Sequence, residues 1–201
     1  MMDIKEFKAG KYVQQIEYSS FLPEKISKEW MVSSPKINSL LSEADRLLGE
    51  LNAFSQLIPD VDFFIKMHIS KEATTSSRIE GTKTNMEEAL LKEDDIEPEK
   101  KDDWNEVQNY IKAINYSIEQ LEKLPLSNRL LINTHKVLLE GVRGKHKLPG
   151  AFRKSQNWLG ATLKDAIYIP PHHTEVPDLM SDLEKFIHDT EFYVPHLIKI
   201  A

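Results

Sequence analysis

The clearest candidate for chemistry is a run of small hydroxyl residues that ends in a carboxylate, Thr74–Gly81 (TTSSRIEG). Ser76 and Glu80 are four residues apart, so they share a face if the segment is helical. Gly81 is a natural helix stop and would place Glu80 at a helix C-terminus, where the dipole disfavours a carboxylate by ~0.3–1 kcal/mol. We therefore expect Glu80 to have a cationic partner, and arginine suits this role best because it binds carboxylates bidentately. A solvated glutamate before a capping glycine is the alternative that the local pattern leaves open.

A second candidate is a β-prone region at residues 157–169. Asn157–Leu159 and Ala166–Ile169 flank a Gly/Asp-containing turn, which predicts a hairpin that ends at Pro170. An edge strand of this kind has free backbone groups that can pair with an extended peptide. An ordinary surface hairpin is the alternative. The residues of the predicted edge strand are Ala166, Ile167, Tyr168 and Ile169.

Other classes of site find no support in the sequence. The chain has seven histidines and no cysteine, and no helical histidine pair or thiolate set of the kind that binds zinc, so we predict no metal site. The phosphate-binding and nucleophile motifs G-x-x-x-x-G-K-[ST], G-x-G-x-x-G and G-x-S-x-G are also missing. Since 26 Lys and Arg stand against 32 Asp and Glu, with a net charge of −6, we predict no binding to nucleic acid.

Length and hydropathy narrow the class further. A chain of 201 residues with 40% hydrophobic residues can bury a core without disulfides. The N-terminus shows no signal sequence, and no apolar run approaches the ~18 residues of a membrane span. We therefore expect a cytoplasmic protein that does not bind membranes.

Helical periodicity covers most of the chain. Residues 1–33 are predicted to form an irregular arm, and residues 93–99 a solvated acidic linker. Helices are predicted to begin at Pro35, after Asp60, in a capping box at Thr84–Glu87, near Trp104, after Ser127, near Pro177 and at Pro195. The elements together predict an all-α fold of about seven helices and one β-hairpin in one compact domain.

Five segments together resemble one known family. Ser76–Gly81 fits the pattern [ST]-x-x-x-E-[GN]. Pro149–Arg153 (PGAFR), Asn157–Gly160 (NWLG) and Ile169–Pro171 (IPP) flank or belong to the predicted hairpin, and Val176–Met180 (VPDLM) begins the helix after it. These segments resemble the inhibitory motif, the flap and the following helix of the Fic family, whose members transfer AMP from ATP to a protein hydroxyl.

The resemblance implies a Fic-like helical domain with one β-hairpin flap and an N-terminal helical extension. Residues 1–92 would form the N-terminal region with the inhibitory helix, and residues 93–201 an incomplete Fic core with the flap at 157–169. Ser76, Glu80 and Gly81 would form the inhibitory site. The flap would bind a protein target by strand addition, and a homo-oligomer is a further expectation.

The family's catalytic loop, H-x-F-x-[DE]-G-N-[GK]-R, does not occur in residues 1–201. In the family its histidine is the general base, its acid holds Mg²⁺, its backbone amides hold phosphates, and a second arginine binds the γ-phosphate and pairs with the inhibitory glutamate. We therefore expect a chain truncated before this loop, with no catalytic residue and no activity by itself. ATP and Mg²⁺ would serve the full-length member, and neither is expected to bind this chain.

Two other interpretations remain open. The chain could be a non-catalytic regulatory or target-binding fragment that acts through Glu80 and the flap, for example by supplying Glu80 to a full-length relative. It could also be a helical domain that is unrelated to AMP transfer.

Overall fold

The computed structural model describes residues 1–142, 146 and 148–200, and within them the chain is predominantly helical. The all-α class predicted from sequence is confirmed. The helices are α1 (Pro35–Ser55), α2 (Val61–Ile79), α3 (Met86–Ala89), α4 (Lys101–Leu121), α5 (Asn128–Leu138), α6 (Val176–His188) and α7 (His196–Ile200). The strands are β1 (Met2–Asp3), β2 (Gly10–Gln14), β3 (Ser19–Pro23) and β4 (Trp30–Met31).

The chain divides into two compact units rather than the single domain that periodicity predicts. The first unit consists of residues 1–54 and 152–201, and the second of residues 55–151. The first unit therefore contains the strands, α1 up to its last residue, α6 and α7, and the second contains α2 to α5. The division into residues 1–92 and 93–201 that the family resemblance implies separates expected roles, not compact units, and it stays a prediction. No helix in the described residues is long and apolar enough to cross a lipid bilayer.

The second unit is built around a close contact between α2 and α4. Small residues on α2 recur at the i, i+3, i+4, i+7 spacing of one helical face, and all are buried: Ser70, Ala73, Thr74 and Ser77. Ala73 forms a buried cluster with Val107 of α4 and Ala89 of α3. The weak helix formers of α2 are therefore present for packing, since their small size lets the neighbouring backbone approach.

The helix starts follow the capping chemistry of the sequence, with one shift. Asp60 accepts a hydrogen bond from the Phe63 N–H at 2.8 Å and caps α2. The capping box of α3 was predicted at Thr84 and Glu87, which is wrong by one residue, because Asn85 and Glu88 form it. Thr84 is buried at 1% exposure, and the next residue, Asn85, takes the cap.

The N-terminal arm is not irregular. β2 and β3 form an antiparallel hairpin that pairs Tyr12 with Phe21, and β1 pairs in parallel with β4. These strands are two to five residues long, which is too short for an alternating pattern to stand out in sequence. Contacts with other elements therefore determine where these strands form.

The acidic segment at 93–99 is also more ordered than predicted. Two single-turn 3₁₀ helices, Glu93–Asp95 and Pro98–Lys100, frame Ile96, which is 5% exposed. The acidic side chains face solvent, whereas the one large apolar residue of the segment is buried.

Candidate functional site

The end of α2 forms a Schellman motif, which determines where Glu80 lies. The Gly81 N–H donates to the Arg78 carbonyl, and the Thr82 N–H donates to the Ser77 carbonyl, both at 3.1 Å. Gly81 has a φ of +99°, a left-handed conformation that glycine adopts without steric cost. Glu80 is the last residue before this turn, so its side chain projects from the C-terminal end of the helix.

Ser76 and Glu80 lie on one wall of a cavity, as their spacing predicts. The Ser76 hydroxyl donates to the Glu72 carboxylate at 2.6 Å, so it stabilises the preceding turn of the helix and does not contact Glu80 through that bond. The cavity has a volume of about 600 Å³. Its lining comes from α2, α4 and the end of α5, and consists of Ser76, Ser77, Glu80, Glu106, Tyr110, Leu138, Leu139 and Val142.

The electrostatic character of this cavity favours a cation. Glu80 and Glu106 are the charged residues in the described lining. Both α2 and α5 reach the cavity with their C-terminal residues, where the helix dipole carries partial negative charge. The sequence pattern did not single out Glu106, because it lies on a different helix and only packing brings it near Glu80.

The described lining offers no group of the kind that binds phosphates. Phosphates bind at helix N-termini or beside cationic side chains, whereas the described lining contains two carboxylates and two helix C-termini. The described residues also contain no group of three or more potential metal ligands. No ion pair of Glu80 is seen among the described residues, so the arginine that we expect as its partner stays a prediction.

The predicted flap in the first unit is joined by a single antiparallel bridge between Leu159 and Tyr168. The Leu159 N–H donates to the Tyr168 carbonyl at 2.8 Å, and the Ile167 N–H donates to the Leu159 carbonyl at 2.7 Å. The chain turns back closely here: a Cβ on Gly160 would lie 2.9 Å from the Asp165 carbonyl oxygen. The segment is therefore a tight loop with one bridge, shorter in pairing than the hairpin predicted from sequence.

The four predicted flap residues differ in accessibility. Ile167 is 88% exposed, whereas Ile169 is 6% exposed. The Ile169 carbonyl already accepts a hydrogen bond from the Phe21 N–H of β3 at 2.8 Å. The open part of the flap is thus its Ala166–Ile167 end.

Two side chains tie the base of the flap together. The Arg153 guanidinium donates to the Ser155 carbonyl at 3.0 Å and to the Pro171 carbonyl. The Gln156 amide donates to the Pro170 carbonyl at 3.0 Å. Burial lowers the pKa of Arg153 from its ordinary value, and Tyr18 partly opposes this effect. Sequence reasoning gave neither side chain a role, since the carbonyls of Pro170 and Pro171 that they bind are 14 and 18 residues away.

Comparisons with known proteins agree with the resemblance seen in the sequence. The fold is similar to the crystal structure of a Fic family protein from Desulfovibrio desulfuricans G20, with a TM-score of 0.59 and 17% sequence identity. The match covers 82% of this chain and 48% of that chain, so this chain spans about half the length of that protein. At this identity the likeness shows a shared fold.

The sequence comparisons are more specific about one region. No curated protein matches the chain. Residues 38–119, which run from the first turn of α1 almost to the end of α4, match the family model described as the Fic/DOC family N-terminal region. Together with the shared fold, this match supports the resemblance to the Fic family that the sequence motifs indicate.

Proposed function

We propose that this chain is the regulatory and target-binding part of a self-inhibited Fic adenylyltransferase, which transfers AMP from ATP to a protein hydroxyl. The observation that carries the proposal is the position of Glu80. It is exposed, fixed by the turn at Gly81, and lies on the wall of a cavity whose described lining is anionic. A guanidinium is the group that this arrangement suits best.

In this proposal Glu80 binds the arginine that would otherwise hold the γ-phosphate of ATP. The catalytic loop with that arginine does not occur in residues 1–201. We therefore expect no AMP transfer from these residues alone, and we expect ATP and Mg²⁺ to bind a protein that also carries the loop. Ser76 contributes by stabilising the last turns of α2.

In this proposal the flap binds the protein target. A protein segment in extended conformation would pair with backbone groups at the Ala166–Ile167 end, where Ile167 is exposed. We expect this activity in the cytoplasm.

The test is to replace Glu80 with glycine in a longer protein that carries the H-x-F-x-[DE]-G-N loop. We expect AMP incorporation with ATP and Mg²⁺ to rise by about tenfold or more, because a charge-assisted pair of ~1.5–3 kcal/mol no longer competes with ATP. Glu87→Gln is the control, since Glu87 is also an exposed glutamate but does not line the cavity. An unchanged rate in a folded Glu80→Gly protein would refute the inhibitory role.

A second candidate function is regulation in trans. Because Glu80 is exposed, a second, full-length chain could present its arginine to it. Addition of the 201-residue chain to the active Glu80→Gly protein would then lower AMP incorporation, whereas the Glu80→Gly version of the short chain would not.

A further inference from the structure

The register of the N-terminal hairpin determines which backbone groups point outward. Gln15 donates to the Tyr18 carbonyl at the turn, and Glu24 donates to the Ala9 carbonyl at the open end. Hydrogen-bonded and non-hydrogen-bonded pairs alternate in an antiparallel ladder. The pair Tyr12–Phe21 is therefore non-hydrogen-bonded, and the Phe21 N–H points away from β2.

The outward edge of β3 contacts the flap through Phe21. The Phe21 N–H donates to the Ile169 carbonyl at 2.8 Å, and the rings of Phe21 and Tyr168 lie 6.1 Å apart between centroids. Ser19 and Pro23 are the other outward positions of β3. Because Pro23 has no N–H, pairing cannot extend beyond Phe21 in that direction.

The hairpin is itself held in place by a buried carboxylate. Asp182 of α6 is 9% exposed and accepts hydrogen bonds from the Ile26 N–H at 2.7 Å and the Ser27 N–H at 3.3 Å. The Trp30 indole N–H donates to the Ile26 carbonyl at 2.9 Å. The chain after β3 is thus attached to the helix that follows the flap, so the position of β3 is fixed within this unit.

We propose that Phe21 is a positioning residue for the flap, with Asp182 as the anchor of the hairpin that presents it. This inference rests on the proposed function of the flap in target binding. The flap has one backbone bridge of its own and the side-chain bonds of Arg153 and Gln156 at its base, and the bond from Phe21 attaches its buried end to β3. Phe21 also occupies the Ile169 carbonyl, so an extended protein segment can pair only with the Ala166–Ile167 end.

The test is amide hydrogen exchange of the 201-residue chain, measured by NMR at the Leu159 and Ile167 amides, whose hydrogen bonds report the closed flap. Phe21→Pro removes the donor N–H, and Ser20 is already in the extended conformation that a following proline requires. We expect both amides to exchange about threefold to tenfold faster, as the loss of one net hydrogen bond implies. Asp182→Ala is expected to act in the same direction.

Two variants separate the hydrogen bond from other effects. Phe21→Ala removes the same ring but keeps the N–H, so it should retain most of the protection that Phe21→Pro loses. Ser19→Pro changes the neighbouring outward position of β3 and should leave both flap amides unchanged. The Leu179 amide of α6 and the Val107 amide of α4 verify that each variant is folded.

Unchanged exchange of Leu159 and Ile167 in both Phe21→Pro and Asp182→Ala would overturn the proposal, as would equal effects of Phe21→Pro and Phe21→Ala. The measurement uses neither nucleotide nor target. Failure here therefore refutes the positioning role alone, whereas failure of the Glu80→Gly experiment refutes the inhibitory role alone.

Discussion

At the scale of single residues, carboxylates are used in three ways. Glu80 is exposed beside a cavity, Asp182 is buried and accepts two backbone N–H groups, and Glu88 closes a capping box. The Asn85 N–H and then Lys100, at 2.9 Å, hold the pKa of Glu88 below its usual 4.5. The same contact raises the pKa of Lys100. The hydrogen-bond donors next to each carboxylate therefore determine whether that carboxylate stabilises the fold.

The lowered pKa of Glu88 predicts a pH-dependent contribution to stability. Because its pKa is lower in the folded state, the stabilisation is present above pH 4.5 and is lost as the pH falls through the folded value. Glu88→Gln should therefore lower the free energy of unfolding more at pH 7 than near pH 3, as measured by urea denaturation. Glu87→Gln is the control, and a difference for Glu88→Gln that does not change with pH would contradict the prediction.

At the scale of elements, the end of α2 shows how a local motif presents a functional group. Small residues allow α2 to pack closely against α4. The turn at Gly81 then ends α2, so Glu80 is the last residue at the end of the helix. Asp60 and Ser127 begin their helices as the sequence predicts. These features follow from neighbouring residues alone, which is why they could be predicted without the fold.

Gly81→Ala tests this turn. A Cβ at Gly81 would meet no atom within 4 Å, but φ is +99°, so the cost comes from the backbone conformation and should be ~1 kcal/mol. Gly49 lies within α1 and also has open space around a Cβ, so Gly49→Ala should instead stabilise by ~0.5–1 kcal/mol. Urea denaturation measures both, and effects of the same sign would contradict the explanation.

At the scale of the whole molecule, the two candidate sites belong to different units. Ser76, Glu80 and Gly81, the proposed inhibitory residues, lie in the second unit, and the proposed flap residues 166–169 lie in the first. Each unit has its own set of fixed contacts, Ala73 against Val107 in the second and Asp182 against the segment that follows β3 in the first. Each site can therefore be tested through the packing of its own unit.

Ala73→Leu tests the close packing between α2 and α4. Ala73 and Val107 are both 0% exposed, so a larger side chain must displace α2 or α4 at a cost of ~1–3 kcal/mol. Ala53→Leu, at an exposed position of α1, should change the free energy of unfolding by less than ~0.5 kcal/mol. Circular dichroism during urea denaturation measures both variants. A similar small effect for the two would show that α2 and α4 are not closely packed.

The sequence by itself determined the helices, the caps at Asp60 and Ser127, the helix stop at Gly81 and the resemblance to the Fic family, because each depends on residues within about one helical turn or on a contiguous motif. Tertiary structure decided the strands of the N-terminal arm, the shift of the capping box to Asn85, the approach of Glu106 to Glu80 and the contact of Phe21 with Ile169. These features join residues that are far apart in the chain or depend on which side chains are buried. No local pattern encodes such a contact, since its free energy arises only when the chain has packed.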